Sequence, residues 1–86
     1  MYSGEWLDNI QNGRGILTDA NGSRYVGEFK GGMMNGHGVF TWKDGSVYEG
    51  SYKDGRQHGG GILNSADGSR FEGQWKNGKR IAVQEI

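Results

Sequence analysis

A unit of 23 residues repeats along this chain, and that period constrains the fold more than any other feature. An aromatic-x-Gly-x-aromatic segment begins at Tyr2 and returns at Tyr25, Tyr48 and Phe71. The glycines keep the same period, since 16 of the 18 fall on five of the 23 positions of the unit. A glycine-rich composition alone would not place the glycines at the same positions of successive units. The chain is therefore predicted to be a tandem array of one small structural unit.

Each unit has the pattern of a β-hairpin. In the segment from Tyr48 to Tyr52, aromatic residues and glycine alternate with polar residues, which is the period of a strand. A second strand is predicted at 37–42, and Asp44-Gly45 is a strong turn signal before the next aromatic segment. Strands are expected near 2–6, 14–18, 24–29, 37–42, 47–52, 60–65 and 70–75. Longer loops, such as 53–59, are expected to bulge at one edge.

The register of the hairpin can be predicted from the alternation of side chains, since successive residues of a strand point to opposite faces of the sheet. A two-residue turn at Asp44-Gly45 would pair Thr41 with Tyr48 and send Phe40 to the opposite face. A three-residue turn with Gly45 left-handed would pair Phe40 with Tyr48. We predict the second register, because a slip of one residue moves every side chain to the other face. All ten rings then lie on one side, which we call the aromatic face: Tyr2, Trp6, Tyr25, Phe29, Phe40, Trp42, Tyr48, Tyr52, Phe71 and Trp75. Leu17 and Leu63 are expected to join it.

The predicted fold class is all-β, a single twisted antiparallel β-meander of tandem hairpins. The array is expected to fill residues 1–86 as one domain, with repeats at 2–24, 25–47 and 48–70 and a partial repeat or cap at 71–86. Residues 79–86 lack the paired glycines of the other units. The sequence leaves open whether they form a short helix or a final strand.

These residues resemble the MORN repeat, the "membrane occupation and recognition nexus" family. Its unit of about 23 residues reads Tyr-x-Gly-x-Trp, then Gly, then Gly-x-Gly, then Asp-Gly, and residues 48–70 follow that order. The resemblance covers residues 2–78, with Asn9 in place of Gly and Phe71 in place of Tyr. It implies an extended single sheet that acts as a scaffold or dimerisation module, with lipid binding in some members. It implies no catalytic residue in the repeat.

Composition narrows the function classes. Ten basic residues balance ten acidic ones, so no basic face for nucleic acid is expected. The chain has no cysteine, no apolar run long enough to span a membrane and no secretory signal after Met1. His37 and His58 lack partners at metal-ligand spacing. We expect no enzyme activity, no cofactor and no metal, and a cytoplasmic location, peripheral to a membrane or the cytoskeleton.

The aromatic face is the predicted partner-binding surface. Either a second copy, a flanking segment or a partner peptide covers it, or the rings cover one another; the sequence leaves both open. Self-association through this face or through the edge strand 2–6 is the first functional hypothesis. A weak contact with an anion or an anionic lipid headgroup is the second, through a basic strip of Lys53, Arg56, Lys76, Lys79 and Arg80. A regulatory fragment of a larger enzyme is the third.

Overall fold

The computed structural model describes residues 1–86 as one open antiparallel sheet without helices. The eight strands follow one another in chain order, and each pairs only with its sequence neighbours. The all-β meander predicted from the sequence is confirmed. The strands are β1 (Tyr2–Leu7), β2 (Ile10–Thr18), β3 (Arg24–Lys30), β4 (Met33–Thr41), β5 (Val47–Lys53), β6 (Arg56–Asn64), β7 (Arg70–Lys76) and β8 (Lys79–Glu85).

The turn between β4 and β5 has the predicted three-residue form. Phe40 pairs with Tyr48, and the backbone N–H of Trp42 donates to the Ser46 carbonyl at 2.8 Å. Gly45 has φ of 96°, a conformation that glycine adopts without strain. The Asp44 carboxylate accepts a hydrogen bond of 2.9 Å from the Ser46 N–H. The register prediction is therefore confirmed.

The predicted loop at 53–59 is wrong. Asp54 and Gly55 alone form the turn between β5 and β6, with φ of 52° and 83°, the left-handed pair typical of a type I′ hairpin. Strand β6 then begins at Arg56 and absorbs the remaining residues in a bulge. Between the pairs Gly50–Gly61 and Tyr52–Gln57, β6 has two residues more than β5. The same turn and bulge occur between β1 and β2 and between β3 and β4.

A row of paired glycines crosses the sheet at right angles to the strands. Each glycine of the row stands opposite the next one on the neighbouring strand, from β1 to β7. Because strand parity places them with the rings, they leave a line of slots on the aromatic face. The row consists of Gly4, Gly15, Gly27, Gly38, Gly50, Gly61 and Gly73.

Residues 79–86, left open between helix and strand, form β8 over most of their length. This last hairpin departs from the others, since its bulge holds one extra residue, Ile81, instead of two. Gly73 therefore pairs with Val83, where the repeat would place Gln84. In the other units the bulge contains a glycine with φ near 90°, such as Gly59 at 99°, and Ala82 stands at that position here. Alanine rarely adopts this conformation, which explains the shorter bulge.

The molecule is one sheet thick, with principal extents of 41 × 24 × 15 Å. Its accessible surface of 5566 Å² exceeds the roughly 5000 Å² expected for a monomer of 9.4 kDa. Only nine residues are buried, and the apolar ones among them are all aromatic: Tyr25, Phe29, Tyr48, Tyr52 and Trp75. The hydrophobic core is therefore a single layer of rings on one side of the sheet.

Candidate interaction surfaces

Seven rings on the aromatic face form a continuous chain of edge-to-face contacts. Within a unit, the first ring contacts the second, as Tyr25 contacts Phe29 with 5.1 Å between centroids. Between units, the first ring contacts the second ring of the following unit, as Tyr25 contacts Tyr52 at 5.1 Å. Such contacts contribute about 0.5–1.5 kcal/mol each beyond area burial. The order is Trp6, Tyr2, Phe29, Tyr25, Tyr52, Tyr48 and Trp75, with centroids 4.9–5.5 Å apart.

The tyrosines that open the units lie over the glycine row. A Cβ added at Gly50 would stand 2.7 Å from the Tyr48 hydroxyl, and one at Gly61 would overlap the Tyr48 ring. The hydroxyl passes over the slot and donates to the carbonyl of Ser51 at 3.2 Å. Tyr2 and Tyr25 donate to the carbonyls of the corresponding residues in their own units. Paired glycines thus allow a tyrosine to lie flat and to satisfy its hydroxyl.

Burial of these tyrosines changes their acidity. Removal from water raises the pKa of Tyr25 to about 12, and the negative charge of Glu28 adds to the rise. Burial also raises the pKa of Tyr48 and of Tyr52. Under ordinary conditions all three hydroxyls are therefore neutral.

The ten aromatic residues proposed for partner binding divide into three groups by exposure. Tyr25, Phe29, Tyr48, Tyr52 and Trp75 are only 0–5 % exposed, because neighbouring rings of the same chain cover them. Of the two alternatives left open by the sequence, mutual coverage describes these five. Another four are half-buried, namely Tyr2, Phe40, Trp42 and Phe71. Trp6 alone is 56 % exposed. A partner can reach the aromatic face mainly at its ends and along Phe40 and Trp42.

The opposite face carries carboxylates with a structural role. Glu28 accepts a hydrogen bond of 3.0 Å from the His37 N–H, a backbone donor freed by the bulge in β4. Glu5 accepts the equivalent bond of 2.6 Å from the Arg14 N–H in the first unit. The repeat of Glu at these two positions is thus explained by the bulge.

An open groove of about 820 Å³ lies on the same face over the second half of the array. Its floor is the backbone around Gly50, Gly61 and Gly73, and Glu49 and Glu72 stand on its walls. Glu49 also lies 3.8 Å from the His37 imidazole, and both side chains are more than half exposed. The groove is shallow and solvated, which differs from the enclosed apolar pockets that bind small molecules.

The basic residues noted in the sequence gather at one long edge, which we call the turn edge. Lys53 pairs with Arg56 on either side of one two-residue turn, and Lys76 pairs with Lys79 on either side of the next. At the other end of the turn edge the equivalent pair is apolar, Leu7 with Ile10. Arg80 differs from the other four, since its guanidinium lies 5.5 Å from the Phe71 ring centroid. In the second hairpin the equivalent pair is Lys30 with Met33, so two basic residues flank a turn only in the second half of the array.

No group of three or more histidine or acidic side chains in the structure is arranged to hold a metal ion. His37 is paired with Glu49, whereas His58 lies in the bulge of β6 with its Nδ1 buried and without a hydrogen-bond partner. A phosphate-binding loop needs a glycine-rich turn followed by a helix. The Gly-x-Gly segments of this chain, such as Gly36-His37-Gly38, lie instead in the bulges and the glycine row, and no helix follows them. The structure also contains no helix that could cross a membrane.

The MORN repeat family matches the chain in four consecutive segments, residues 2–24, 25–47, 48–70 and 71–80. The chain belongs to the MORN repeat family. MORN repeats are non-enzymatic modules that generally mediate contacts with proteins or membranes. A comparison with curated proteins finds no match. The fourth MORN segment ends at residue 80, within β8, where the hairpin departs from the pattern of the others.

Some surface features of this MORN array were missed from the sequence. Met34 and Val83 pack against the rings, beside the predicted Leu17 and Leu63. Met34 is opposite Phe29 only because of the bulge in β4. A signal for the bulges was present, since Gly31-Gly32, Asp54-Gly55 and Asn77-Gly78 are dipeptides typical of two-residue hairpin turns. Two-residue turns leave no loop, so the extra residues have to enter the strand.

Proposed function

We propose that this MORN array is a non-catalytic interaction scaffold that self-associates through the free edges of its end strands. One observation carries the proposal: β1 and β8 each pair with a neighbour on one side only. The outer backbone groups of these two strands are open to another strand. Edge pairing of this kind supplies affinity through main-chain hydrogen bonds, and side chains supply the specificity.

The side chains at the two ends support this proposal. Trp6 and Leu7 are 56 % and 59 % exposed on β1, and Ile81 is 61 % exposed on β8. Neither strand contains proline, which would block pairing. The interior of the array offers less, because its rings are already covered. The end strands therefore combine unpaired backbone with uncovered apolar surface.

A non-catalytic role agrees with the position of the acidic residues. Glu5 and Glu28 bind bulge N–H groups, so both have a structural role at equivalent positions. A catalytic carboxylate would instead be expected in an enclosed site that excludes water. The groove on that face is open to water.

Size-exclusion chromatography with light scattering tests the proposal. We expect the molar mass to rise above 9.4 kDa as the concentration enters the high micromolar range. Circular dichroism at the same concentrations checks that the chain is folded. A folded monomer over the whole range would contradict self-association.

A second candidate is attachment to an anionic membrane surface, located at the cytoplasmic side. Four basic residues at the turn edge favour it: Lys53, Arg56, Lys76 and Lys79. At about 1 kcal/mol per basic residue near such a surface, they would give weak and salt-sensitive binding. Co-sedimentation with phosphatidylserine vesicles at low salt tests this, with phosphatidylcholine vesicles as the control. Lys76→Gln with Lys79→Gln should release the chain, and equal binding to both vesicles would exclude the candidate.

A further inference from the structure

The aromatic rings that follow the repeat have different surroundings at the two ends of the array. At each internal junction, the first ring of one unit contacts the second ring of the following unit. Tyr2 with Phe29, Tyr25 with Tyr52 and Tyr48 with Trp75 repeat this contact, with centroids 4.9–5.1 Å apart. The second ring of the first unit and the first ring of the last unit therefore have no such partner within the chain.

Trp6 is the second ring at the start of the array. The equivalent rings Phe29, Tyr52 and Trp75 are 4 %, 5 % and 3 % exposed, whereas Trp6 is 56 % exposed. Trp6 does contact Tyr2 of its own unit, with centroids 4.9 Å apart. What it lacks is the first ring of a preceding unit. The difference in exposure measures that missing contact.

Phe71 is the first ring at the other end of the array. Unlike Tyr2, Tyr25 and Tyr48, it makes no edge-to-face contact with another ring. The Arg80 guanidinium lies over it instead, at 5.5 Å from the ring centroid. A cation over an aromatic face is a weak contact at an exposed site. Arg80 thus partly covers the surface that a following second ring would cover.

We propose that two copies associate head to tail, with Trp6 of one copy packed on Phe71 of the other in place of Arg80. Strand β1 of the first copy then pairs antiparallel with β8 of the second and continues the meander. With Gly4 opposite Val83, β8 stands between Gly73 of its own copy and Gly4 of the other, and Trp6 takes the place beside Phe71 that a second ring takes at each internal junction. This inference rests on the proposed self-association and specifies its polarity and its contact residues.

Head-to-tail pairing has a consequence for assembly. The two surfaces are different, so each added copy leaves one free Trp6 end and one free Phe71 end. Such heterologous contacts form open chains unless a rotation closes them into a ring. A symmetric dimer would instead bring together two Trp6 ends or two Phe71 ends and would stop at two copies.

Complementation between two variants tests the polarity. In sedimentation velocity, Trp6→Ala and Phe71→Ala should each weaken self-association of the full chain by roughly tenfold or more, since each removes one half of the junction. An equimolar mixture should form a dimer that neither variant forms alone, because the intact end of each variant meets the intact end of the other. Val26→Ala is the matched control, since Val26 is 41 % exposed on an internal strand away from the ring chain.

Arg80→Ala supplies a test that does not remove an aromatic ring. It uncovers Phe71 and should strengthen association by roughly two- to fivefold. A purely structural role of Arg80 would give no such gain. Circular dichroism and thermal unfolding show which variants are folded. If Phe71→Ala does not fold, the Arg80→Ala and Trp6→Ala variants together still test head-to-tail association.

The results separate this inference from the proposed function. A monomeric wild-type chain would contradict both. Association that persists in Trp6→Ala would overturn head-to-tail pairing and leave self-association in place. Association in Phe71→Ala alone, without complementation in the mixture, would indicate a symmetric contact through β1 and would also overturn it. Complementation together with a gain in Arg80→Ala supports it.

Discussion

The hairpin of β5 and β6 and the hairpin of β7 and β8 begin with the same pattern but differ in register. In the first, Tyr48 lies over the Gly50–Gly61 pair and β6 carries two extra residues in its bulge. In the second, Gly73 pairs with Val83 and β8 carries one extra residue. The ring at the start of the second hairpin is Phe71, which has no hydroxyl to donate to the following carbonyl.

The difference shows which residues set the register of a unit. A two-residue bulge needs a residue with positive φ, and Gly59 supplies it where Ala82 does not. A tyrosine over the row needs glycines on both strands beneath it. Where the second strand lacks glycine, Val83 fills the place and packs against the rings. Paired glycines and the tyrosine hydroxyl therefore act together.

The largest expected effect comes from filling a slot under a ring. Gly61→Ala should destabilise the array by roughly 2–3 kcal/mol, because the added Cβ overlaps the Tyr48 ring. Gly60→Ala is the control, since a Cβ there meets nothing closer than Gln74 Nε2 at 3.5 Å. Urea unfolding of the two variants measures the difference. Equal stability would show that the slot does not constrain the ring.

Loss of a buried hydroxyl should have a smaller effect. Tyr25→Phe imitates the last hairpin and removes the 2.9 Å hydrogen bond to the Glu28 carbonyl, at a cost of about 1 kcal/mol. Tyr2→Phe removes the same bond at the more exposed end of the array, where water can replace it. Thermal unfolding should rank Tyr25→Phe below Tyr2→Phe in stability. The reverse order would argue that burial is unimportant here.

The same hydroxyl predicts a dependence on alkaline pH. Because burial raises the pKa of Tyr25 to about 12, the unfolded chain loses this proton first as pH rises above about 10. Stability from this group is thus complete below pH 10 and is lost between pH 10 and 12. Urea unfolding across that range should show a steeper decline for the wild type than for Tyr25→Phe. Parallel declines would contradict the assignment to Tyr25.

Restoring the repeat should convert the last hairpin. Phe71→Tyr with Ala82→Gly and Gln84→Gly supplies the hydroxyl, the positive-φ residue and the paired glycine. We expect Gly73 to move from Val83 to residue 84, with a net gain of about 1 kcal/mol from the new hydrogen bond. Cross-strand Hα–Hα contacts in NMR spectra report the register directly. An unchanged contact between 73 and 83 would mean that Val83 packing holds the register.

The smallest expected effect is at the bulge of β4. Glu28→Ala removes the acceptor of the His37 N–H and should cost about 0.5 kcal/mol, since the site is exposed and water can take its place. Glu72→Ala is the control on the same face, because no hydrogen bond of Glu72 stabilises a bulge. Amide hydrogen exchange at His37 should be faster only in the first variant. Equal exchange in both would remove the structural role given to Glu28.

Much of this fold could be predicted because its information is local and repeated. Alternation in each unit predicts strands, and the parity of Phe40 and Tyr48 across a short turn predicts the register. The bulges were not predicted because residues such as 56–59 do not continue the alternation of the aromatic strand, which favoured a loop. The basic strip could be placed on one edge, but the cation–π contact of Arg80 depends on the altered register of β8.

The face on which the aromatic residues lie could be predicted from the sequence, but the exposure of each ring could not. All ten aromatic residues could be assigned to one face from parity alone, and the ring cluster of the structure lies on that face. Which rings remain open depends on neighbours 27 residues away along the chain, as for Tyr25 and Tyr52. Trp6 and Phe29 occupy equivalent positions in the repeat, and only their place in the array makes one exposed and the other buried.

The sequence by itself determined the period, the strand alternation and the side of the sheet on which the rings lie, because these follow from the positions of rings and glycines within one unit. Only the tertiary structure decided the register of β8 and the coverage of each ring. The register of β8 depends on whether Val83 or Gln84 stands opposite Gly73. The coverage of a ring depends on whether the first ring of one unit contacts the second ring of the next. Which of these contacts forms depends on the volume of the side chains and on the backbone conformations that the residues can adopt, and both act only in the folded molecule.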